Sequence, residues 1–389
     1  MRMMMCVVVL LPLAACEIIV EAKDSGDTSA PGIDTGEADA DTDTDTDTDT
    51  DTDVAVDPST WTTYAGPCSG YRTETLVFDA DGSAWAGCGA DVGLFYAATP
   101  GAWVSVNDHD QFHCFDAHLA DDGLLYIAGD DTTSDALAYR GDPAQGDLFD
   151  GTPIFFYGGS IDSVALAGTI LRAPDGTIVI DAENSYQYGL SLDDGDSFTE
   201  EYFSTYQWMD TDLASDGKIY ASGSRISDPP TIIVPAAKAG QFTAFEIGDG
   251  QFTGELFGIA AIDADRIFAV GVDEPTHHAM FARCTGSCNS PASWTVEDLT
   301  DSVELGQPAD LGRLHAIRFD ESGVFGMAVG ERYPQGLGGW AMYTTDRGDT
   351  WKMADDAGFP ILTQVWSFGD GSFAVAGGGG YMALSVVLP

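Results

Sequence analysis

From residue 58 onward the chain alternates short apolar runs with acidic, glycine-bearing breaks, the period-two pattern of half-buried strands. A strand, an acidic turn and a second strand recur seven times, at Leu76 to Gly82, Ala117 to Gly123, Thr169 to Gly176, Thr211 to Gly217, Gly258 to Asp265, His315 to Gly323 and Val365 to Gly371. Asp accepts from local amides and Gly adopts positive φ, so each break reads as a hairpin turn. Between the hairpins stand Trp61, Trp103, Phe149, Phe198, Phe242, Trp294 and Trp351, spaced 42, 46, 49, 44, 52 and 57 residues apart. Such a period suits four short strands per repeat.

The ends of the pattern complement each other. Pro58-Ser59-Thr60-Trp61-Thr62 resembles Pro291-Ala292-Ser293-Trp294-Thr295 but precedes the first hairpin, so it is an outer strand without a blade. Residues 364–387 supply three strands and lack the outer one. Joining them completes seven four-stranded blades and removes the exposed edges, so the expectation is an all-β, seven-bladed β-propeller over residues 58–389, with Thr60 to Tyr64 pairing onto the last blade. A pair of β-sandwiches, or six or eight blades, are the alternatives.

Two turns share a stricter pattern, Ser/Thr-x-Asp-x-Gly-x-Ser/Thr-aromatic: Ser191, Asp193, Gly195, Ser197 and Phe198, and Thr344, Asp346, Gly348, Thr350 and Trp351. This pattern resembles the Asp-box of BNR-repeat propellers. The resemblance implies a structural hairpin in which Asp binds the turn amides and the aromatic is buried. Because sialidases, sorting receptors and assembly factors all contain it, it leaves function open.

Upstream of the repeats, Met1-Arg2, the apolar run Met3 to Leu13 and Leu13-Ala14-Ala15-Cys16 resemble a bacterial lipoprotein signal. That resemblance implies a signal peptide over residues 1–15, cleavage before Cys16 and lipidation of Cys16, hence an exported protein anchored in the cell envelope, at the outer membrane or cell surface. Residues 17–57 hold fifteen acidic residues and one Lys and almost no large apolar side chains, so residues 16–57 are expected to be a disordered tether. Its end-to-end distance is roughly 35 Å before charge repulsion extends it.

Net charge is −48, of which the repeat region contributes 48 acidic against 13 basic residues. So acidic a surface repels nucleic acid and anionic lipid, which excludes nucleic acid as a partner. The partners expected are the membrane, through the N-terminal lipid, and a protein or glycan ligand at the propeller rim; no cofactor is expected.

Five cysteines lie beyond Cys16. Cys284 and Cys288 flank three residues in the outer hairpin of the fifth repeat, where a disulfide would replace the box as a staple. Cys68 precedes the first inner strand and Cys88 ends the second, ends that antiparallel pairing brings together, so Cys68–Cys88 is the second expected bridge and Cys114 is left over.

Candidate chemistry concentrates on the rim opposite the boxes. Asp108, His109, His113 and His118, with Cys114 among them, are the candidate metal ligands, although the spacing matches no closed motif and solvated histidines are the plainer reading. His277, His278 and His315 fall at other blades' rims and are expected to be exposed. Sialidases, which the boxes also bring to mind, need three arginines, a tyrosine nucleophile and a carboxylate. Arg72, Arg225, Arg313 and Arg332, near Tyr71, Tyr333, Glu74 and Glu255, are the rim residues available, but Arg225-Ile226-Ser227 lacks the proline of the sialidase Arg-Ile-Pro motif. The sequence therefore favours a non-catalytic binding or scaffolding propeller over a sialidase-like glycan hydrolase.

Overall fold

The computed structural model describes residues 61–385 apart from 90–92, 107–111, 132–135, 143–152, 158–165, 184–186, 203–206, 225–228, 237–239, 307, 335 and 355–357. Cys16 and the tether, Asp108, His109, Phe149 and Arg225 thus lie outside the described residues.

Seven antiparallel four-stranded sheets form a β-propeller. Six blades are continuous in sequence, with inner strands at Thr73–Phe78, Phe112–Leu119, Leu166–Arg172, Gln207–Leu213, Gly254–Asp263 and Leu311–Phe319, here blades 1 to 6. Blade 7 takes its three inner strands from Leu362–Ser367, Phe373–Gly377 and Tyr381–Ser385 and its outer strand from Trp61–Ala65. Trp61 pairs with Ser385 and Ala65 with Tyr381, which closes the ring as expected. The spaced aromatics start or directly precede the outer strands, except in blade 2, where that strand begins at Phe155.

The core consists of apolar layers between neighbouring blades. Phe268, Phe281 and Trp340 of blades 5 and 6 pack with Trp351, and Trp208 of blade 4 packs with Tyr188 and Phe242. Second strands such as Ala84–Cys88 and Arg266–Asp273 are buried on both faces, so they read as continuous rather than alternating apolar runs.

The two motif turns are held by their own side chains. Asp193 accepts from the Ser197 amide and hydroxyl and from the Ser191 hydroxyl (2.9, 2.6 and 2.8 Å), while the Gly195 amide donates to Ser191 Oγ (2.8 Å). Asp346 accepts from the Thr350 amide and hydroxyl and the Thr344 hydroxyl in the same way (2.8, 2.6 and 2.7 Å). The hydrogen bonds from Ser197 and Ser191 hold the Asp193 carboxyl below its ordinary range. Gly195 and Gly348 have φ of 83° and 79°, a conformation that favours glycine. Trp351 is buried, and Phe198 packs on Phe155.

Both expected disulfides are present, Cys68–Cys88 and Cys284–Cys288. Cys114 is a buried free thiol.

Candidate functional site: the channel mouth

Each inner strand carries a β-bulge at the same level. Pairing slips between Thr73 and Thr75, Cys114 and Asp116, Ala167 and Ile170, Trp208 and Asp210, Leu256 and Gly258, Leu314 and Ala316, and Leu362 and Gln364. A bulge inserts a residue and re-aims a side chain. The inserted residues are Glu74, Phe115, Met209, Phe257, His315 and Thr363, with Gly168-Thr169 opposite Asp181 in blade 3. All of them line one chamber of about 200 Å³ at the start of the inner strands. The motif turn at 191–198 lies at the other rim, where the Asp194 amide meets the Gly176 carbonyl of the inner hairpin turn (3.1 Å).

Glycine makes the bulges possible. In six blades the residue facing the bulge is Gly87, Gly129, Gly223, Gly271, Gly330 or Gly377; a Cβ there would come within 1.8 to 2.6 Å of a carbonyl oxygen in or just before the same blade's inner strand, or for Gly87 within 2.7 Å of the Cys114 carbonyl of blade 2. Nothing larger fits without displacing the strand.

Below the bulges, side chains replace a ladder that inner strands of neighbouring blades cannot form. Asp116 accepts from the Ile170 amide (2.9 Å), Asp210 from Ile259 (3.0 Å), Asp212 from Ala261 (2.7 Å), and Thr75 Oγ1 from Ala117 (3.2 Å). Each satisfies a backbone donor of the next blade, which would otherwise be stranded at the axis. Arg318 of blade 6 crosses two blades to donate to both Asp210 oxygens (3.2 and 3.4 Å) and to the Ile259 carbonyl (2.9 Å). This crossbar floors the chamber, because Arg318 and Asp116 also line the cavity beneath, with His118 and Asp212.

Burial dominates the protonation of these groups. It raises the Asp116 carboxyl to about 7, helped by the charge of Asp210, and raises Asp212 to about 6. Burial opposes the charge on Arg318, but Asp210 and Asp212 outweigh it and the guanidinium stays ionised. His315 is driven down to about 3 by burial and by the charges of Arg313 and Arg72, so it is a neutral imidazole at physiological pH.

Of the candidate metal ligands the structure describes His113 and His118, and it separates these two. His113 and His118 occupy one inner strand on opposite sides of its bulge: Nδ1 of His113 lies 2.8 Å from the Asp130 carboxylate, whereas Nε2 of His118 lies 3.2 Å from the Arg172 carbonyl, below the crossbar. Cys114 points into the core between blades 1 and 2, and burial raises its thiol pKa. Among the described residues no three His, Cys, Asp or Glu are placed to hold a metal ion. His315, expected at an exposed rim, is instead an inserted residue of the chamber wall packed at a tilt against Phe257 (ring centroids 5.9 Å apart, planes at 38°), because the bulge turns it inward. His277 is exposed and stacks on Tyr333, and His278 lies 2.7 Å from Asp298.

The described rim arginines are divided between two places. Arg72 pairs with Glu74 (2.7 Å) at the chamber mouth, whereas Arg332, paired with Asp310 (2.7 Å), shares a groove with Arg313, which lies over Phe257 (4.9 Å) and 3.6 Å from Glu274. Tyr71 is exposed, as is Tyr333 in that groove, and Glu255 pairs in register with Val272. Sequence reasoning missed Arg318 and Asp212, which lie inside runs read as plain inner strand, and Asp210 and Phe257, which immediately precede such runs.

No protein-family description matches this chain, and no curated protein does. Solved structures match its fold. YCF48 from Cyanidioschyzon merolae is similar with a TM-score of 0.59 at 11% identity, covering 84% of this chain and 98% of that one. A catalytically inactive virginiamycin B lyase from Staphylococcus aureus with quinupristin has a TM-score of 0.58 at 13% identity, over 84% and 99%. The WD40 propeller domain of Doa1 has a TM-score of 0.55 at 10% identity, over 83% and 96%. At such identities the likeness speaks for the fold alone.

Proposed function

We propose that this protein is an exported, lipid-anchored binding or scaffolding propeller whose ligand enters the channel mouth on the rim opposite the boxes. The observation that carries this reading is the ring of bulges, which directs a residue from every blade into one chamber. Their glycine partners make that geometry a property of the sequence rather than of one loop. A propeller of similar fold, YCF48, has been solved bound to a D1 peptide, which lends support to a protein ligand here. The motif turns at 191–198 and 344–351 act as Asp-boxes of the BNR type, structural staples of blades 3 and 6. Lipidation at Cys16 supplies the anchor, and the acidic segment spaces the propeller from the envelope. Separation of Arg72 from Arg332, each engaged with a carboxylate, counts against a sialidase-like hydrolase, which needs three arginines on one substrate carboxylate.

A photo-crosslinking residue placed at Phe257, in the mouth, and at Leu192, on a box turn, tests the site in intact cells. A discrete adduct from 257 and none from 192 is expected; adducts from 192 alone would remove the mouth from consideration. For the anchor, Cys16→Ala should move the protein from the membrane fraction to the soluble one, and continued sedimentation with membranes would overturn lipidation.

A further inference from the structure

We infer that the chamber behind the mouth accepts a guanidinium group, the side chain of an arginine on an extended segment of the partner. The inference rests on the mouth-binding reading above and names the chemistry of its ligand.

Charge sets the sign of the ligand. The chamber lining carries four carboxyl groups, Glu74, Asp116, Asp181 and Asp210, against two guanidinium groups, Arg72 and Arg318, and even with Asp116 titrating at about 7 the carboxylates outnumber the guanidinium groups. Anions are therefore repelled from its depth, and an added cation offsets an excess of buried negative charge that is otherwise costly. Spare acceptors sit in the same wall. Thr169 is 4% exposed and its hydroxyl has no hydrogen-bond partner. Across the channel, Nε2 of the neutral His315 has none either. Both atoms are shielded from water, so a ligand donor reaches them only as the wall side chains part, and a hydroxyl or a neutral imidazole nitrogen can then accept from N–H.

Shape and spacing select among cations. Among the described residues no three acidic, histidine or cysteine side chains converge as a metal ion requires. Acceptors dispersed over blades 2, 3, 4 and 6 suit a planar group with five donors in a fixed fork better than the compact, three-donor ammonium of lysine. Phe115, Trp208 and Phe257 add aromatic surface to the wall, and the Arg313 guanidinium already lies 4.9 Å from the Phe257 ring centre. A volume of about 200 Å³ admits a side chain and is below the ~300 Å³ at which pockets begin to enclose whole drug-sized ligands.

Titration calorimetry on the full chain tests this with N-acetyl-arginine methylamide, its lysine and citrulline counterparts, calcium chloride, and the capped tripeptide acetyl-Gly-Arg-Gly-amide. The arginine compound and the tripeptide should bind, lysine roughly tenfold more weakly, and citrulline, which keeps the shape but loses the charge, not measurably. Asp181→Asn should weaken arginine binding about tenfold and Thr169→Val several-fold, with melting curves verifying that each variant is folded. Equal binding of citrulline, arginine binding untouched by both variants, or displacement of arginine by Ca²⁺ overturns the assignment. Binding of the free arginine compound but not of the tripeptide overturns the assignment to a chain-borne side chain. If the adduct from position 257 persists while arginine fails to bind, only this inference falls; if that adduct is also missing, the mouth-binding reading falls with it.

Discussion

Replacing Arg318 by Met keeps much of the side-chain bulk and removes the crossbar. Four hydrogen bonds disappear, two of them to Asp210, and Asp116, Asp210 and Asp212 lose the guanidinium that offsets their charge. Breaking a buried pair from one side costs about 3 to 5 kcal/mol. Because the Arg318 side chain is 30% exposed and that of Asp210 15%, the lower end applies, about 3 kcal/mol at pH 8. The loss should shrink in acid. Asp116 and Asp212 have folded-state values of about 7 and 6, above their ordinary 3.8, so the stability they contribute is complete below about pH 4 and is lost as pH rises through 6 and 7. Arg318 lowers both values, so its removal raises them further and extends the loss to higher pH. Urea denaturation followed by tryptophan fluorescence at pH 5 and pH 8 measures the difference. A deficit below about 1 kcal/mol at pH 8, or one equally large at pH 5, refutes the crossbar as an electrostatic unit.

Gly129→Ala sets a Cβ 1.8 Å from the His113 carbonyl oxygen and should cost at least about 3 kcal/mol, while Gly123→Ala, in a turn with φ of 78° but no neighbour within 4 Å, should cost about 1 kcal/mol; equal melting temperatures would mean that the bulge readily rearranges. From the lengths of the loops they close, replacing both cysteines by serine should cost about 3 kcal/mol for the Cys68–Cys88 bridge, which spans 20 positions, and about 2 kcal/mol for Cys284–Cys288, which spans 4. The reverse order in denaturant midpoints would show that strain or local structure outweighs chain entropy. Cys114, buried with its thiol pKa raised, should resist alkylation in the native protein and react once in urea; rapid native labelling would mean that blades 1 and 2 open together.

The repeat architecture was legible because it is written in local chemistry. Asp in seven hairpin turns, joined by Gly in six of them, aromatics at regular spacing and the match between Trp61 and Trp294 lead to seven blades and to their closure without any long-range information. The Cys68–Cys88 bridge followed from strand ends that pairing had to bring together, and Cys284–Cys288 from two cysteines flanking three residues of one hairpin. The site was not legible, because the repeats were taken to begin at Leu76, Ala117 or Val365, just after the inserted residues. A bulge reverses which face a side chain serves, so strict alternation assigned Phe257 and His315 wrongly or passed over them. The available signal was the glycine inside the second strands, Gly87, Gly129, Gly223, Gly271, Gly330 and Gly377, where a β-branched residue is otherwise expected. Arg318 had no local signal. Its partner Asp210 lies two blades away, a contact that exists only once the ring has formed.

Closure of the ring by Trp61–Ala65 also governs when the fold can be completed. As a chain is made from its N-terminus, this strand emerges before any blade, yet its partner Tyr381–Ser385 is among the last described segments to appear. Until Tyr381–Ser385 has been made, Trp61, Thr62, Thr63 and Tyr64 have no strand to pair with, although local hairpins can assemble long before the circle shuts. The joint therefore works as a latch whose two halves are the first and the last of the described strands. A chain that stops short of Tyr381 retains the strands of six blades but exposes an edge on each side of the gap, so an intact circle requires synthesis to have passed Ser385.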